Sequence, residues 1–164
     1  MPRTMSLVAP HPKRMPLAGD WLEADRLPTD ADFIALGVAY RSSGGLARGD
    51  DLARLLEERG RGDFSSLARL IVGGRIFSFR WHEDFWVPLF QFDWRDLTVR
   101  AVLQTLLLDL SAVLDGWSIG HWFVQPNARL RGERPIECLD ADPAAVCQAA
   151  RGDRLDAASR PVTR

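Results

Sequence analysis

From residue 29 onward, apolar positions recur at helical spacing in three successive segments. Phe33, Leu36, Gly37 and Tyr40 stand at i, i+3, i+4 and i+7, one face of a helix. Thr29 or Asp30, after Pro28, supplies its N-cap, and Gly44-Gly45 its stop. A second helix is predicted from Asp50, with Leu52, Leu55 and Leu56 inward, Arg59 in its last turn and Gly60 as the residue that ends it. A third follows Asp63, with Phe64, Leu67, Leu70 and Ile71 inward and Gly73-Gly74 after it. The period then changes to two. Phe77, Phe79 and Trp81 share one side of a strand over Ile76 to Trp81; after a polar turn of His82, Glu83 and Asp84, a second strand runs from Phe85 to Phe92. Pro88 within it predicts an edge strand or a bulge. Helix, tight turn, helix and β-hairpin is the order of a winged helix-turn-helix.

The second half of the chain returns to helical spacing. Thr98 is placed to cap a long helix carrying Val99, Val102, Leu103, Leu106, Leu107, Leu110, Val113 and Leu114, with Gly116 ending it. So wide a stripe predicts burial on more than one side; a homodimer and a buried intramolecular helix both satisfy it. A short helix is predicted over Ser118 to Val124, with Ile119, Trp122 and Phe123 inward and Pro126 as its stop. Pro135 opens another, through Leu139. Asp142-Pro143 opens the last, with Val146, Cys147 and Ala150 on one face and Gly152 as its end. Outside these elements, residues 1–28 carry five prolines and scattered charge, the composition of an extended or disordered arm, with Trp21 and Leu22 pinning its end to the body. Residues 153–164 read as a polar tail. No internal repeat is present.

Composition narrows the classes. The 164 residues are 46% hydrophobic and 26% charged, an ordinary globular balance. A chain of this length needs no staple of disulfides or metal. The formal net charge of -1 excludes a uniformly basic nucleic-acid binder. The charge is uneven, however: residues 41–80 hold eight Arg against five acids, and residues 81–120 two Arg against six acids. Lys13 is the single lysine; the arginine bias fits either planar bidentate contacts or a GC-rich coding sequence. Cys138 and Cys147, with no His nearby, do not make a zinc site. They read as small buried hydrophobes in a reducing cytoplasm. No apolar run approaches the roughly 18–20 residues of a membrane helix, and no h-region follows Arg3. The expected setting is cytoplasmic, with no membrane partner.

The chain lacks GxGxxG, GxxxxGK[ST] and HExxH. His11 lies in the proline-rich arm. His82 lies in the hairpin turn beside Glu83 and Asp84, as a solvated tip or as part of an acid–base or metal cluster. His121, between Gly120 and Trp122, reads as a packed or capping residue. Neither cysteine has a base at a suggestive spacing. No catalytic residue, metal ligand or cofactor is therefore expected, and the protein is not expected to be an enzyme. DNA contact is better motivated. Ser65, Ser66 and Arg69 lie away from the apolar face of the third helix, where a recognition helix meets the major groove. Arg75 and Arg80 on the hairpin are placed for phosphates. A solvated helix face, or a protein contact through the same shape, fits these residues equally.

One stretch is more specific. Trp122-Phe123-Val124-Gln125-Pro126-Asn127-Ala128-Arg129-Leu130-Arg131-Gly132-Glu133-Arg134-Pro135 reads as W-F-x-x-P-N-x-x-L-x-G-x-x-P, with Leu139 four residues on. By their own chemistry these residues build a helix–loop–helix corner. Pro126 ends one helix and Asn127 turns the chain by bonding its own backbone. Leu130 anchors the loop, Gly132 supplies a backbone state other residues resist, and Pro135 starts the next helix. The pattern resembles the toxin-binding domain of the Xre/MbcA/ParS antitoxin family, and Pro88 to Phe92 looks like the segment that precedes this domain in relatives. The resemblance covers residues 76–150. It implies a bacterial, non-enzymatic protein that binds a RES-class toxin, which degrades NAD, and covers the toxin's active site with its C-terminal part. Some members also bind operator DNA and repress their own operon. Carried onto this chain, the contact surface would be the helix from Asp142 to Arg151, Val146 included, and the tail after it. Arg151 and Arg154 would meet a phosphate site. Departures are Arg134 where a Ser or Thr cap would sit, the polar tail with Pro161, and the N-terminal arm. The expected architecture is mainly α with a small β-hairpin: a winged helix-turn-helix-like half over 29–94, then a helical toxin-binding-like half over 95–152. The alternatives are a transcriptional regulator without a toxin and an orphan interaction module.

Overall fold

The computed structural model describes residues 27–159. The expected arm falls almost wholly outside them, as do Trp21, Leu22 and His11. Helix α1 (Asp30–Tyr40) starts with a reciprocal cap: the Thr29 side chain accepts from the Asp32 amide, and the Asp32 carboxylate accepts from the Thr29 amide at 2.8 Å. A 3-10 turn at Arg41–Ser43 leads to Gly44 (φ 102°), which lies under Trp94, whose ring a Cβ there would meet at 2.7 Å. The chain then forms β1 (Leu46–Arg48), α2 (Gly49–Glu58), α3 (Phe64–Val72), β2 (Phe79–Trp81) and β3 (Asp84–Pro88). Asp63 caps α3 through the Ser66 amide at 2.8 Å. The strands order as β1-β3-β2, antiparallel throughout, with Ala47 opposite Val87 and Arg80 opposite Phe85. The protein is thus mainly helical with a small three-stranded antiparallel sheet.

Several expectations need correction here. Strand β1 is a third partner beyond the hairpin. It makes β3 the central strand, not an edge. Pro88 is tolerated because it is the last residue of β3, opposite Leu46, where the ladder stops. Both hairpin strands are shorter than their alternation suggests, and Asp84 belongs to β3 while the turn itself is His82–Glu83. The residues after Pro88 wind into a 3-10 turn, Leu89–Gln91, and Gln91 replaces the missing ladder. It is fully buried. Its amide accepts from Phe77 N–H at 2.8 Å and donates to the Phe77 and Pro88 carbonyls at 2.9 and 3.0 Å.

Helices α4 (Val102–Leu110), α5 (Gly116–Val124), α6 (Pro135–Cys138) and α7 (Pro143–Ala158) complete the chain. Thr98 does not cap α4: it bonds Asp96 in the preceding loop, while Val99 pairs with Phe92 in an isolated bridge. The long predicted helix is therefore a bridge, a shorter helix and a turn. Gly116 ends nothing; it is the first residue of α5 behind the Asp115 cap, and a Cβ there would lie 2.0 Å from the Ser78 carbonyl oxygen. Gly152 likewise does not stop α7, which continues to Ala158 and takes in the start of the expected polar tail.

The core has two connected parts. Leu52, Leu56, Leu67, Ile76 and Val87 gather α2 and α3 against the sheet. Leu36, Tyr40, Phe77, Phe90, Leu103, Leu107, Ile119, Phe123 and Val146 form one cluster drawn from both halves of the chain. Tyr40 donates its buried hydroxyl to the Gly120 carbonyl at 2.6 Å, tying α1 to α5. Its phenol pKa is raised well above the ordinary value by burial. Among the described residues, no helix is long and apolar enough to cross a membrane.

Candidate docking site

The corner between α5 and α6 is where most of the motif residues meet. Asn127 is buried, and its polar groups are used on every side. Its side-chain oxygen accepts from the Arg129 amide at 2.8 Å. Its backbone carbonyl accepts from Leu130 and Gly132, and its own amide donates to the Glu133 carbonyl at 2.9 Å. Arg131 (φ 58°) and Gly132 (φ 86°) then turn through two successive left-handed conformations. Leu130, Pro135 and Leu139 close the corner from within as buried residues, and Pro135 stands at the first turn of α6. Pro126 is exposed just after α5 ends.

The corner's remaining polar groups converge on one residue of α7. Asp153 Oδ2 accepts from Trp122 Nε1 and from Asn127 Nδ2, each at 2.8 Å, and Oδ1 accepts from Arg129 Nε at 3.1 Å. Arg129 also reaches Asp156 at 2.6 Å. These two carboxylates hold the Arg129 guanidinium pKa above its ordinary value. Gly152 makes the approach possible, because a Cβ there would lie 2.5 Å from the guanidinium carbon of Arg129. Asp153, Asp156 and Arg129 are the residues of this candidate site that sequence reasoning missed. Their only trace in sequence is a Gly-Asp pair inside a helix that a glycine should weaken.

The carried-over contact residues divide. Val146 has 0% exposure and packs in the core, so it is not available to a partner. A helix buried along one side must send its apolar residues inward, and Val146 lies on that side. Arg151 and Arg154 are exposed on α7 but engaged with Asp109 of α4, Arg154 at 2.7 Å and Arg151 as a looser ion pair at 3.8 Å. Gln148, Arg151 and Leu155 lie along the outer face of α7, and Leu155 keeps 57% of its surface exposed. On the other side of the corner, Arg100 pairs with Asp140.

The residues proposed for DNA lie around α3. Ser65 and Arg69 are exposed; Ser66 is half-buried and turned to Asp63 at 2.9 Å, with Arg69 reaching back to its hydroxyl at 3.3 Å. Arg75 donates to the Gln104 amide oxygen at 2.8 and 2.9 Å in the amide orientation that satisfies both groups. Arg80 is exposed on β2. The same helix exposes Phe64 and Val72, at 52% and 88%; Phe64 was expected inward but only rests its edge on Phe85.

The titratable groups show no activated nucleophile among the two cysteines. Burial, and for Cys138 the neighbouring Glu133, Glu137 and Asp142, raises both thiol pKa values, which keeps them protonated at neutral pH. His121 is buried on α5, its Nδ1 3.1 Å from the Trp117 carbonyl; burial lowers its pKa. His82 reaches Asp30 at 3.2 Å at the exposed hairpin tip. Compared with family models, curated proteins and solved structures, the chain matches none.

Proposed function

We propose that this chain is an antitoxin-like protein that binds and neutralises a RES-class, NAD-degrading toxin. The observation that carries this reading is the convergence of Trp122, Asn127 and Arg129 on Asp153. The stretch that bears the family resemblance holds α7 in place and leaves an outer face free of the core. That face combines an exposed apolar residue, Leu155, with two guanidinium groups already oriented by Asp109. A partner's carboxylate or phosphate would compete for Arg151 first, because its link to Asp109 is the longer. The apolar contact would supply the desolvated centre that protein interfaces need. Cofactors play no part in this reading.

This reading expects a RES-class toxin gene beside this one, and the test is co-expression with that toxin. The full chain should restore growth, and the double variant Arg151→Glu, Leu155→Glu should lose the rescue with an unchanged melting temperature. Rescue retained by the double variant would reject this face; failure of the folded wild-type chain to rescue would reject the reading itself. Truncation before α7 is unsuitable, since it removes Val146, Ala149 and Ala150 from the core.

A second reading, an operator-binding regulator, is favoured by a separate observation. The order α1-β1-α2-α3-β2-β3 with strands arranged β1-β3-β2 is the order expected of a winged helix. In that role α3 would enter the major groove with Ser65 and Arg69, and Arg80 would reach phosphates. It ranks second because α3 also exposes Phe64 and Val72, and α2 opens with Asp50 and Asp51, which repel phosphate. A shift of the gene's own promoter fragment, weakening as salt rises and lost in Arg69→Ala with Arg80→Ala, would support it.

A further inference from the structure

Helix α1 is apolar on both sides. Leu36 and Tyr40 are buried on its inner face, while Ala31, Ile34, Ala35 and Val38 lie on its outer face, Ile34 63% and Val38 54% exposed. Soluble helices that are apolar all round are helices that something covers. Charge on the outer face stands only at its ends: Asp30 at the start of the helix, and Arg41 just past its end beside Arg134, where an open depression meets Val38. At 3.6 residues per turn, Asp30, Ala31, Ile34, Val38 and Arg41 fall within an arc of about 100°. One end of the stripe is acidic and the other basic, so the stripe is complementary to itself when reversed.

We infer that a second copy of this chain covers this face, the two α1 helices packing antiparallel about a twofold axis. With the axis midway between Ile34 and Val38, Ile34 of one copy rests on Val38 of the other, and this happens twice by symmetry. Ala31 and Ala35 let the helices approach closely. Asp30 of each copy comes within reach of Arg41 of the other. Asp30 meets His82 through Oδ1 alone, at 3.2 Å, which leaves Oδ2 to face the second copy. Charge at both ends with apolar residues between them fixes the register and the antiparallel direction together.

The experiment is sedimentation equilibrium of the full chain and its variants. The wild type should be a dimer at concentrations on the order of tens of micromolar. Ile34→Glu should weaken dimerisation by about a hundredfold or more, whereas Leu108→Glu, on an exposed residue of α4, should not. Asp30→Arg and Arg41→Asp should each weaken self-association, yet a mixture of the two should form a heterodimer, since both end pairs are then restored. Circular dichroism confirms that each variant is folded. A monomeric full chain would overturn the proposal; it would mean that the face is bare or that residues 1–26 cover it. A dimer indifferent to Ile34→Glu, or a mixture that fails to form a heterodimer, would overturn it as well.

Discussion

Gln91 shows how much one side chain can decide. It sits at 0% exposure and closes the end of the sheet by treating the Phe77 backbone as a strand would, one bond accepted and one donated, with a third to Pro88. Gln91→Leu keeps the volume and removes all three bonds, so the buried Phe77 amide and carbonyl lose their partner. The expected cost is about 2–4 kcal/mol, since each stranded buried polar group costs roughly 1–3 kcal/mol. Denaturant unfolding measures it directly, and a loss under about 1 kcal/mol would mean that Gln91 fills space and little else. Nothing near Gln91 in sequence announced this role, because its partner lies fourteen residues away. The same holds for Asp153 and Asp109, whose donors lie 24 to 45 residues away. Polar pairing over such spans leaves no periodic mark.

Elements were legible where their ends carry local chemistry. Thr29, Asp63 and Asp142 each cap the helix they were expected to cap, because an Asp or Thr side chain bonds an amide only two or three residues on. Elements whose limits depend on neighbours were not. Three-residue β1 has no room for a period, and the apolar residues flanking α4 belong to a bridge and a turn. Gly116 and Gly152 mislead for the same reason: both are glycines demanded by an approaching group, not by the end of a helix. They differ in what approaches. At Gly116 it is the Ser78 backbone, 2.0 Å from a would-be Cβ; at Gly152 it is the far end of the long Arg129 side chain. Gly116→Ala should therefore destabilise by about 2 kcal/mol or more, the cost of overpacking against rigid atoms. Gly152→Ala should stay within about 1 kcal/mol of wild type, because improved helix propensity offsets the displaced guanidinium. Equal thermal shifts for the two variants would refute this distinction.

At the scale of the whole molecule, His121 on α5 feels the charges of Asp115, the cap of its own helix, and of Asp32 on α1. Its pKa lies below the ordinary histidine value because burial outweighs both carboxylates and the Trp117 carbonyl. The folded state thus binds this proton less readily than the unfolded chain. The contribution is fully present above the ordinary value of about 6.5 and is lost as pH falls below it. Asp63 and Asp96, whose pKa values are lowered by bonds from Ser66 and Thr98, lose theirs only in the acid range below the ordinary carboxylate value. His121→Gln should flatten the fall in stability between pH 7 and 5 while leaving the acid limb in place. A series of melts across that range decides it, and an unchanged slope would assign the fall to other groups.

The Tyr40 hydroxyl and the cluster around Phe123 draw on both halves of the described chain. Any crossover between Phe92 and Val102 would hand each product a raw greasy flank, whatever its new neighbour. The exposed faces of the two segments can diverge, but the segments must be inherited as a pair.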